Sequence, residues 1–243
     1  MINNFSKDDI IDRQRLYNFI QSKFYPDLKE ETFRWRVYEL RQEKLIVPIK
    51  RGIYKLYSKE ETYIPDVTNI QKKINRLLNN TYTEFTYCSW NSSWLNDFSR
   101  HQIFTNTLFI EVETDLVQSV FHLLNDNSFK NVYISPDENI IDNYISENKE
   151  SIVVKTIISK SPIYKIANVP IPQLEKILVD LFCEDILLRA FKGHEQITIF
   201  RNAFDEYKVD ISRMINYSRR RKKEHQIKDF LIQNDILKKE LFA

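Results

Sequence analysis

The sequence predicts a mixed α/β protein with a small N-terminal domain and a larger α/β domain that ends in helices. A charged and aromatic helix pattern over residues 29–44 runs directly into two apolar segments separated by Lys50, Arg51 and Gly52. Strand and helix patterns alternate between residues 84 and 158, which is typical of a sheet that is at least partly parallel. From Pro172 onward, apolar residues recur mainly at helical spacing.

The N-terminal domain is predicted to span residues 1–60 and to begin with two helices. Ser6 is a candidate N-cap of the first helix, which we expect to end before Pro26. The apolar stripe expected on this helix consists of Ile10, Ile11, Leu16, Ile20 and Phe24. The second helix is expected to start near residue 28. Its core-facing residues are expected to be Phe33, Val37 and Leu40.

The apolar segments on either side of Lys50, Arg51 and Gly52 predict a tight hairpin. Gly52 is one of only two glycines in the chain, and a glycine can adopt the positive φ that such turns demand. A helix that leads into a basic-tipped hairpin is the outline of a winged helix-turn-helix. That module inserts a helix into the DNA major groove and lays the hairpin on the adjacent backbone. Residues 1–60 are therefore predicted to bind DNA.

The expected contacts to DNA follow from the second helix and the hairpin. Arg34, Tyr38 and Arg41 repeat on a face other than the apolar one, and we expect the two arginines to lie nearest the base edges. The other side chains of this domain that we expect to bind DNA are Arg36, Lys44, Lys50, Arg51 and Lys55. An ordinary solvated helix laced with Glu–Arg pairs would show the same helical pattern. The basic hairpin favours DNA binding.

The rest of the chain is predicted to contain a connector, residues 61–80, and a second domain, residues 81–243. The connector is polar, contains Pro65 and ends in a short helix. The predicted strands of the second domain cover residues 84–90, 107–113, 131–134 and 151–158. Its predicted helices cover residues 115–124, 137–145, a segment after 172, and residues 195–207, 211–222 and 225–241.

A basic run near the C-terminus predicts a second cationic surface. Six cations and no acidic residue lie between Ile211 and Lys223, namely Arg213, Arg219, Arg220, Arg221, Lys222 and Lys223. Phosphates are contacted by individual cations, so such a patch favours nucleic-acid binding although the net charge of the chain is only +2. Two alternatives stay open. The run could contact a protein partner, or it could be a solvated helix end that favours cations.

Several function classes are excluded or disfavoured by composition. Two glycines cannot build a Walker loop or a dinucleotide fingerprint, so no nucleotide-hydrolysing or Rossmann-type cofactor site is expected. Two cysteines, Cys88 and Cys183, cannot form a disulfide framework or a cysteine-rich metal site, and each is expected to be a buried small hydrophobe. No apolar signal or membrane-spanning segment is recognised, so we expect a cytoplasmic protein with no membrane, metal or cofactor partner.

An enzyme is possible only through a few polar clusters. Glu111 and Glu113 alternate on a predicted strand and Lys155 lies on another, which resembles the carboxylate and lysine set of a metal-dependent nuclease. Such sites usually place a lysine one residue from a carboxylate on the same strand, and none is present there. Asp180 interrupts an apolar helix, so we expect it to be paired structurally, for example with an arginine.

Further phrases of the sequence resemble one known family. They are residues 32–40, the hairpin end Arg51–Tyr54, residues 87–90 with Trp94 and Leu95, residues 110–113, residues 171–181, and residues 217–221. In this order and spacing they resemble the AbiEi-type antitoxin and transcriptional regulator family of type IV toxin–antitoxin (abortive infection) systems. The resemblance covers the chain from about residue 6 to residue 231. One departure is that the first helix of a full winged helix is expected to be short or missing, or to be replaced by the connector helix.

The resemblance implies a winged-helix domain joined to an α/β antitoxin domain. It implies repression of the chain's own promoter through inverted repeats in double-stranded DNA. It also implies neutralisation of a nucleotidyltransferase-like toxin, with a role in phage defence. The DNA contacts carried over are Arg34, Arg36, Arg41, Lys50 and Arg51, with Arg219, Arg220 and Arg221 as the second patch and Lys222 beside it. Both a monomer in solution and cooperative binding on DNA are left open.

We therefore predict a DNA-binding autorepressor and antitoxin without enzymatic activity. Two alternatives remain, a metal-dependent nuclease-like domain fused to a winged helix and a winged-helix module that binds proteins rather than DNA.

Overall fold

The computed structural model describes residues 5, 10–42, 45–50, 52–56, 62–145 and 150–238. It divides into two compact units, Met1–Glu60 and Glu61–Ala243. The predicted fold class is confirmed at the level of a mixed α/β protein with a partly parallel sheet and C-terminal helices.

The first unit consists of two helices and a three-stranded antiparallel sheet. In chain order its elements are β1 (Ile10–Asp12), α1 (Arg13–Lys23), α2 (Glu30–Gln42), β2 (Ile46–Lys50) and β3 (Ile53–Leu56). The sheet order is β1-β3-β2, so the last strand lies in the middle. The core of this unit is formed by Phe5, Ile11, Leu16, Ile20, Leu28, Phe33, Val37 and Ile46.

The predicted start of the first helix is wrong. Asp12 is the N-cap, because its Oδ1 accepts a hydrogen bond from the backbone N–H of Arg15 at 2.8 Å, so α1 begins at Arg13. Ile10 and Ile11 instead form β1, where Ile11 pairs with Tyr54 of β3. Phe24 follows the helix and is exposed rather than part of an apolar stripe. Ser6 lies outside the described residues.

The predicted hairpin is confirmed by the pairing of β2 with β3. Lys50 pairs with Ile53 after a register irregularity at the end of β2. Gly52, in the turn, has φ +75°, a left-handed conformation that glycine adopts without the steric penalty of a Cβ. The turn therefore uses one of the chain's two glycines where the backbone requires it.

The second unit is built on a four-stranded sheet with the order β4-β5-β7-β6. Its strands and helices are α3 (Asn69–Thr81), β4 (Tyr87–Asn91), β5 (Asn106–Val112), α4 (Val117–Asp126), β6 (Val132–Ile134), α5 (Glu138–Ile140), β7 (Glu150–Thr156), β8 (Ile163–Ile166), β9 (Val169–Pro172), α6 (Leu174–Cys183), α7 (His194–Glu206), α8 (Ile211–Arg220) and α9 (Glu224–Gln233). A π-helical turn, Ile141–Ile145, continues α5. β4 is antiparallel to β5, whereas β5, β7 and β6 are parallel. A separate hairpin of β8 and β9 was not expected from the sequence.

Both faces of this sheet are covered. Alternate residues of β5 point to opposite faces. Leu108 and Ile110 join a core with α3 and α4, whereas Phe109 joins a core with helices α6 to α9. The connector helix α3 therefore belongs to the second unit and packs Ile74 and Leu78 against its sheet.

Glu111 lies on the same face of β5 as Phe109, so the sheet places a carboxylate beneath α6. Over the parts of the chain that the structure describes, no helix combines the length and apolar character needed to cross a bilayer.

Candidate nucleic-acid interface

The outward face of α2 carries two aromatic and two basic side chains. Phe33 and Val37 are buried in the core of the first unit. At about 100° per residue, Arg34, Trp35, Tyr38 and Arg41 occupy an arc of about 120° on the exposed side of the helix, an arc that also holds Glu31, and all five are exposed. Trp35 is 54% exposed and Tyr38 58%. Exposed apolar surface that is clustered and bordered by polar residues marks interaction sites, so this face is the first candidate interface.

The two arginines predicted to read bases stand at the two ends of this face. Nε of Arg34 lies 3.3 Å from Oε1 of Glu30 one turn earlier, and the Arg34 side chain is 75% exposed. Such an exposed helical pair stabilises the helix by only about 0.3–0.5 kcal/mol, so Arg34 can exchange it for a better acceptor at little cost. Arg41 is exposed and makes no ion pair with any other residue the structure describes.

Arg36 is held within the first unit. Its Nη1 donates to Oε2 of Glu39 at 2.5 Å, and its Nη2 donates to the hydroxyl of Tyr25. The guanidinium carbon lies 4.8 Å from the ring centroid of Tyr25 and 4.9 Å from that of Trp35. The guanidinium of Arg36 therefore packs against the ring of Trp35. A phosphate contact by Arg36, which stays a prediction, would have to form beside these contacts.

The remaining predicted contacts of the first unit lie on or near the hairpin. Lys50 ends β2 at the turn, and Lys55 lies on the central strand β3 between its partners Ile10 and Val47. Lys44 and Arg51 lie outside the described residues.

Trp35 is a residue that the sequence analysis did not select. Its signal was present, because residue 35 lies about 60° around the helix from Tyr38 and on the side away from Phe33 and Val37. A tryptophan on an otherwise polar face of a short helix indicates a binding surface as strongly as the arginines do.

The C-terminal basic run does not continue as one helix, because α8 ends at Arg220. The backbone N–H of Lys223 donates to the carbonyl of Ser218 at 2.9 Å, and that of Lys222 donates to the carbonyl of Arg219 at 3.0 Å. Lys222 has φ +57°, so these two bonds form a Schellman turn with lysine in the position usually taken by glycine. The predicted helix over residues 211–222 is therefore two residues too long.

This turn sends the four predicted cations in different directions. Arg219 pairs with Glu224, with Nε 2.6 Å from Oε2, and hydrogen bonds from Arg219 and Lys228 lower the pKa of the Glu224 carboxyl to about 2. Arg221 turns inward, and its Nε lies 3.7 Å from Oδ1 of Asp180. Arg220 and Lys222 remain exposed and make no ion pair with the described residues. The exposed part of the patch is thus smaller than the sequence indicates.

The inward-facing end of the patch joins a buried charge network. Nζ of Lys176, on α6, lies 2.7 Å from Oε2 of Glu111 and also donates to Oδ2 of Asp180. Nε1 of Trp90 donates to Oε1 of Glu111 at 2.9 Å, and the hydroxyl of Tyr217 donates to Oδ1 of Asp180 at 2.9 Å. The network links β4, β5, α6 and α8.

The network balances its charges. Glu111 and Asp180 face Lys176 and Arg221, so two negative groups meet two positive ones. Burial lowers the pKa of the Lys176 ammonium, but Asp180 and Glu111 outweigh it, and the net pKa lies well above its usual value. Burial raises the pKa of the Asp180 carboxyl, but Lys176, Lys155 and Arg221 outweigh it, and the net pKa is lowered. The prediction that Asp180 is paired structurally is confirmed.

The nuclease-like set of Glu111, Glu113 and Lys155 is already engaged in contacts within the protein. Glu111 is 2% exposed and already holds Lys176 and Trp90. Glu113 lies beyond the end of β5 and accepts a hydrogen bond from the backbone N–H of Thr86 at 3.0 Å. Lys155, the register partner of Glu111, lies 3.5 Å from Oε2 of Glu184. In the described ranges, no three His, Cys, Asp or Glu side chains are grouped so as to hold a metal ion.

The two cysteines are poor nucleophiles. Cys88 is buried as expected, whereas Cys183 is only half-buried. Burial raises the pKa of both thiols, and for Cys183 the nearby Arg221 only partly offsets it. Both are therefore held as neutral thiols near neutral pH.

Comparison with known proteins adds a family but no activity. The model of a family of unknown function, DUF6577, matches residues 32–237, a span that takes in most of α2, the hairpin and all but the last six residues of the second unit. No curated protein matches the chain. Because this match covers far more than half of its length, the chain belongs to the DUF6577 family.

Proposed function

We propose that this protein is a DNA-binding transcriptional regulator that reads duplex DNA with the outward face of α2. The observation that carries the proposal is that Arg34, Trp35, Tyr38 and Arg41 are all exposed on one face of a helix whose other face is buried. Arginine recognises guanine through two hydrogen bonds, and apolar surface contacts the thymine methyl group. The face therefore combines both means of direct base readout.

The element order of the first unit supports this proposal. Over its described residues this unit has a strand, two helices and a hairpin, with the last strand in the middle of the sheet, which is the element order of a winged helix-turn-helix from its first strand onward. In that interpretation α2 is the recognition helix and the hairpin of β2 and β3 is the wing.

The second unit supplies a smaller cationic surface. Arg220 and Lys222 are its exposed members, with Arg219 partly neutralised by Glu224. Each is suited to a phosphate contact, which strengthens binding without choosing a sequence.

The antitoxin part of the proposal rests on the resemblance to the AbiEi-type family. We propose that the second unit neutralises a nucleotidyltransferase-like toxin and that the protein acts without catalysis or a cofactor. Co-expression with such a toxin encoded beside it should restore growth. Loss of growth despite stable expression of both proteins would contradict this part alone.

The protein-interaction alternative is favoured by one observation, since exposed Trp35 and Tyr38 also suit a protein partner. Retention on heparin separates the two, because a phosphate-binding surface elutes only at elevated salt. The nuclease alternative would need Glu111 to leave its buried partners.

A mobility-shift titration with the chain's own upstream DNA tests the proposal. The double variant Arg34→Ala/Arg41→Ala should lose specific binding, at about 1–3 kcal/mol for each base-reading arginine. A matched control is Arg100→Ala/Arg201→Ala, which removes the same charge from exposed positions of the second unit. Equal binding by the two double variants would show that α2 is not the reading element.

A further inference from the structure

An open cleft of about 690 Å³ lies along α8 in the second unit. One wall is a single face of the helix, because Arg213, Asn216 and Arg220 follow one another at spacings of three and four residues. Lys160 and Pro162 form the opposite wall. The row from Arg213 to Arg220 is about 10 Å long at 1.5 Å per residue, which is long enough for a small phosphorylated molecule.

The cleft has an excess of positive charge. Arg213 is compensated, with Nη1 3.2 Å from Oε1 of Glu175, and Arg219 is compensated by Glu224. Lys160 and Arg220 make no ion pair with any residue in the described ranges. The uncompensated charge therefore belongs to these two side chains, one on each wall.

Both walls are held in place before any ligand arrives. The hydroxyl of Tyr217 donates to buried Asp180 at 2.9 Å, so α8 cannot rotate without breaking the charge network. On the other wall, Oγ of Ser161 donates to the carbonyl of Ile158 at 2.7 Å, and Lys160 sits in this turn with φ +58°. The backbone from which Lys160 and Arg220 extend is therefore fixed before an anion binds, which lowers the conformational cost of binding.

Lys160 also lines a second cleft, of about 530 Å³, at the carboxyl ends of β5 and β7. These adjacent parallel strands continue to opposite faces of the sheet. After β5 the chain enters α4, which packs on one core, and after β7 Ile158 packs on the other core. A crevice between two such strands is the usual ligand position in an open α/β sheet.

The second cleft offers acceptors rather than cations. Glu113 and Asp115 are exposed carboxylates at its rim, and Ser159 lies on its other side. Carboxylates at the end of a strand commonly accept hydrogen bonds from ribose hydroxyls. The two clefts together therefore present phosphate-binding and sugar-binding groups on either side of Lys160.

We propose that these two clefts, which share Lys160 in their linings, together bind a nucleoside phosphate, with the phosphates between Lys160 and Arg220 and the ribose hydroxyls toward Glu113 and Asp115. A small phosphorylated molecule suits this site because Lys160 and Arg220 line a cleft. This site is independent of α2, so it does not depend on the proposed reading of DNA.

Isothermal titration of the full chain with ATP, GTP, CTP and UTP, each in a separate experiment, tests the proposal. At least one should bind, and Lys160→Gln should weaken that binding about tenfold through loss of a charge-assisted contact. Glu113→Gln should weaken the nucleotide but leave inorganic pyrophosphate unchanged. Lys222→Gln is the matched control, since it removes one exposed cation of the same basic run that does not line either cleft.

Three results would overturn the proposal. The first is no heat of binding with any of the four nucleotides at about 1 mM. The second is an equal loss in Lys222→Gln and Lys160→Gln, which would mean general charge attraction. The third is binding of a single-stranded oligonucleotide, but of no mononucleotide, that depends on Lys160. A failure of DNA binding by α2 would leave all three results unchanged, so the two proposals fail separately.

Discussion

Nζ of Lys176 lies 2.7 Å from Oε2 of Glu111, and both side chains are almost fully removed from solvent. A buried charge is costly unless it is paired. Here the Glu111 carboxylate also accepts a hydrogen bond from Trp90, and the Lys176 ammonium also donates one to Asp180. Through Tyr217 and Arg221 the same network reaches α8 and the turn that follows it. The conformation of the C-terminal cations is thus tied to the centre of the sheet.

Replacing Lys176 by methionine should lower the free energy of unfolding by about 3–5 kcal/mol, because Glu111 is left buried without its counter-charge. Urea unfolding at neutral pH measures the change. Lys165→Met, at an exposed position on β8, should stay within about 0.5 kcal/mol of the unmodified protein. A loss of less than about 1 kcal/mol in Lys176→Met would contradict the network's structural role.

Acid should weaken the fold through Asp180. Because the folded pKa of this carboxyl is lowered, its contribution to stability is complete above its ordinary pKa of about 3.9 and is lost as the pH falls below that value. The slope of unfolding free energy against pH below about pH 4 should therefore be shallower in Asp180→Asn than in the unmodified protein. Parallel slopes in the two proteins would show that Asp180 is not linked to acid unfolding.

Arg36 and Arg41 should separate folding from binding. Arg36→Ala removes hydrogen bonds and ring contacts to Tyr25, Glu39 and Trp35, so we expect a loss of about 1–2 kcal/mol in the stability of the first unit. Arg41→Ala should leave stability within about 0.5 kcal/mol and weaken binding to the upstream DNA. The two units can unfold separately, so urea unfolding should be fitted as two transitions. If Arg41→Ala lowered stability and Arg36→Ala weakened only DNA binding, Arg41 would be the structural residue and Arg36 the DNA contact.

The hairpin should contribute phosphate contacts without sequence preference. Lys50→Ala and Arg51→Ala should each weaken binding to all duplexes and reduce the slope of log K against log salt by about 0.9, the value for one phosphate. Binding measured at several salt concentrations gives this slope. If the double variant Lys50→Ala/Arg51→Ala had the same slope of log K against log salt as the unmodified protein, the hairpin would not contact DNA phosphates.

Sequence patterns were sufficient for the elements with long, regular periodicity. The four strands of the main sheet, α2 and the hairpin with Gly52 follow directly from apolar spacing and one turn residue. The pairing of Asp180 was also predictable, since a carboxylate in an apolar helix needs a partner. Lys176 lies four residues earlier on the same helix and was within reach of a local pattern, whereas Tyr217 and Arg221 reach Asp180 only through folding.

The missed elements had weak local signals. β1 is only three residues long, and two adjacent isoleucines fit a helix start as well as a strand. The hairpin of β8 and β9 turns at Ala167 and Asn168, whose φ values are +48° and +66°. Such turns usually carry glycine, and a chain with two glycines gives no such signal. The inward turn of Arg221 depends on the Schellman bonds after α8, which a run of cations does not reveal.

Acrylamide quenching of tryptophan fluorescence, with and without the chain's own upstream duplex, tests the central claim most directly. Of the three tryptophans, Trp90 and Trp94 are buried and Trp35 is 54% exposed, so quenching reports on the outward face of α2. If α2 reads the duplex, saturating DNA should reduce quenching to the low level of a Trp35→Phe variant. If the duplex binds and Trp35 is quenched as strongly as in the free protein, DNA does not lie on α2 and the account is contradicted.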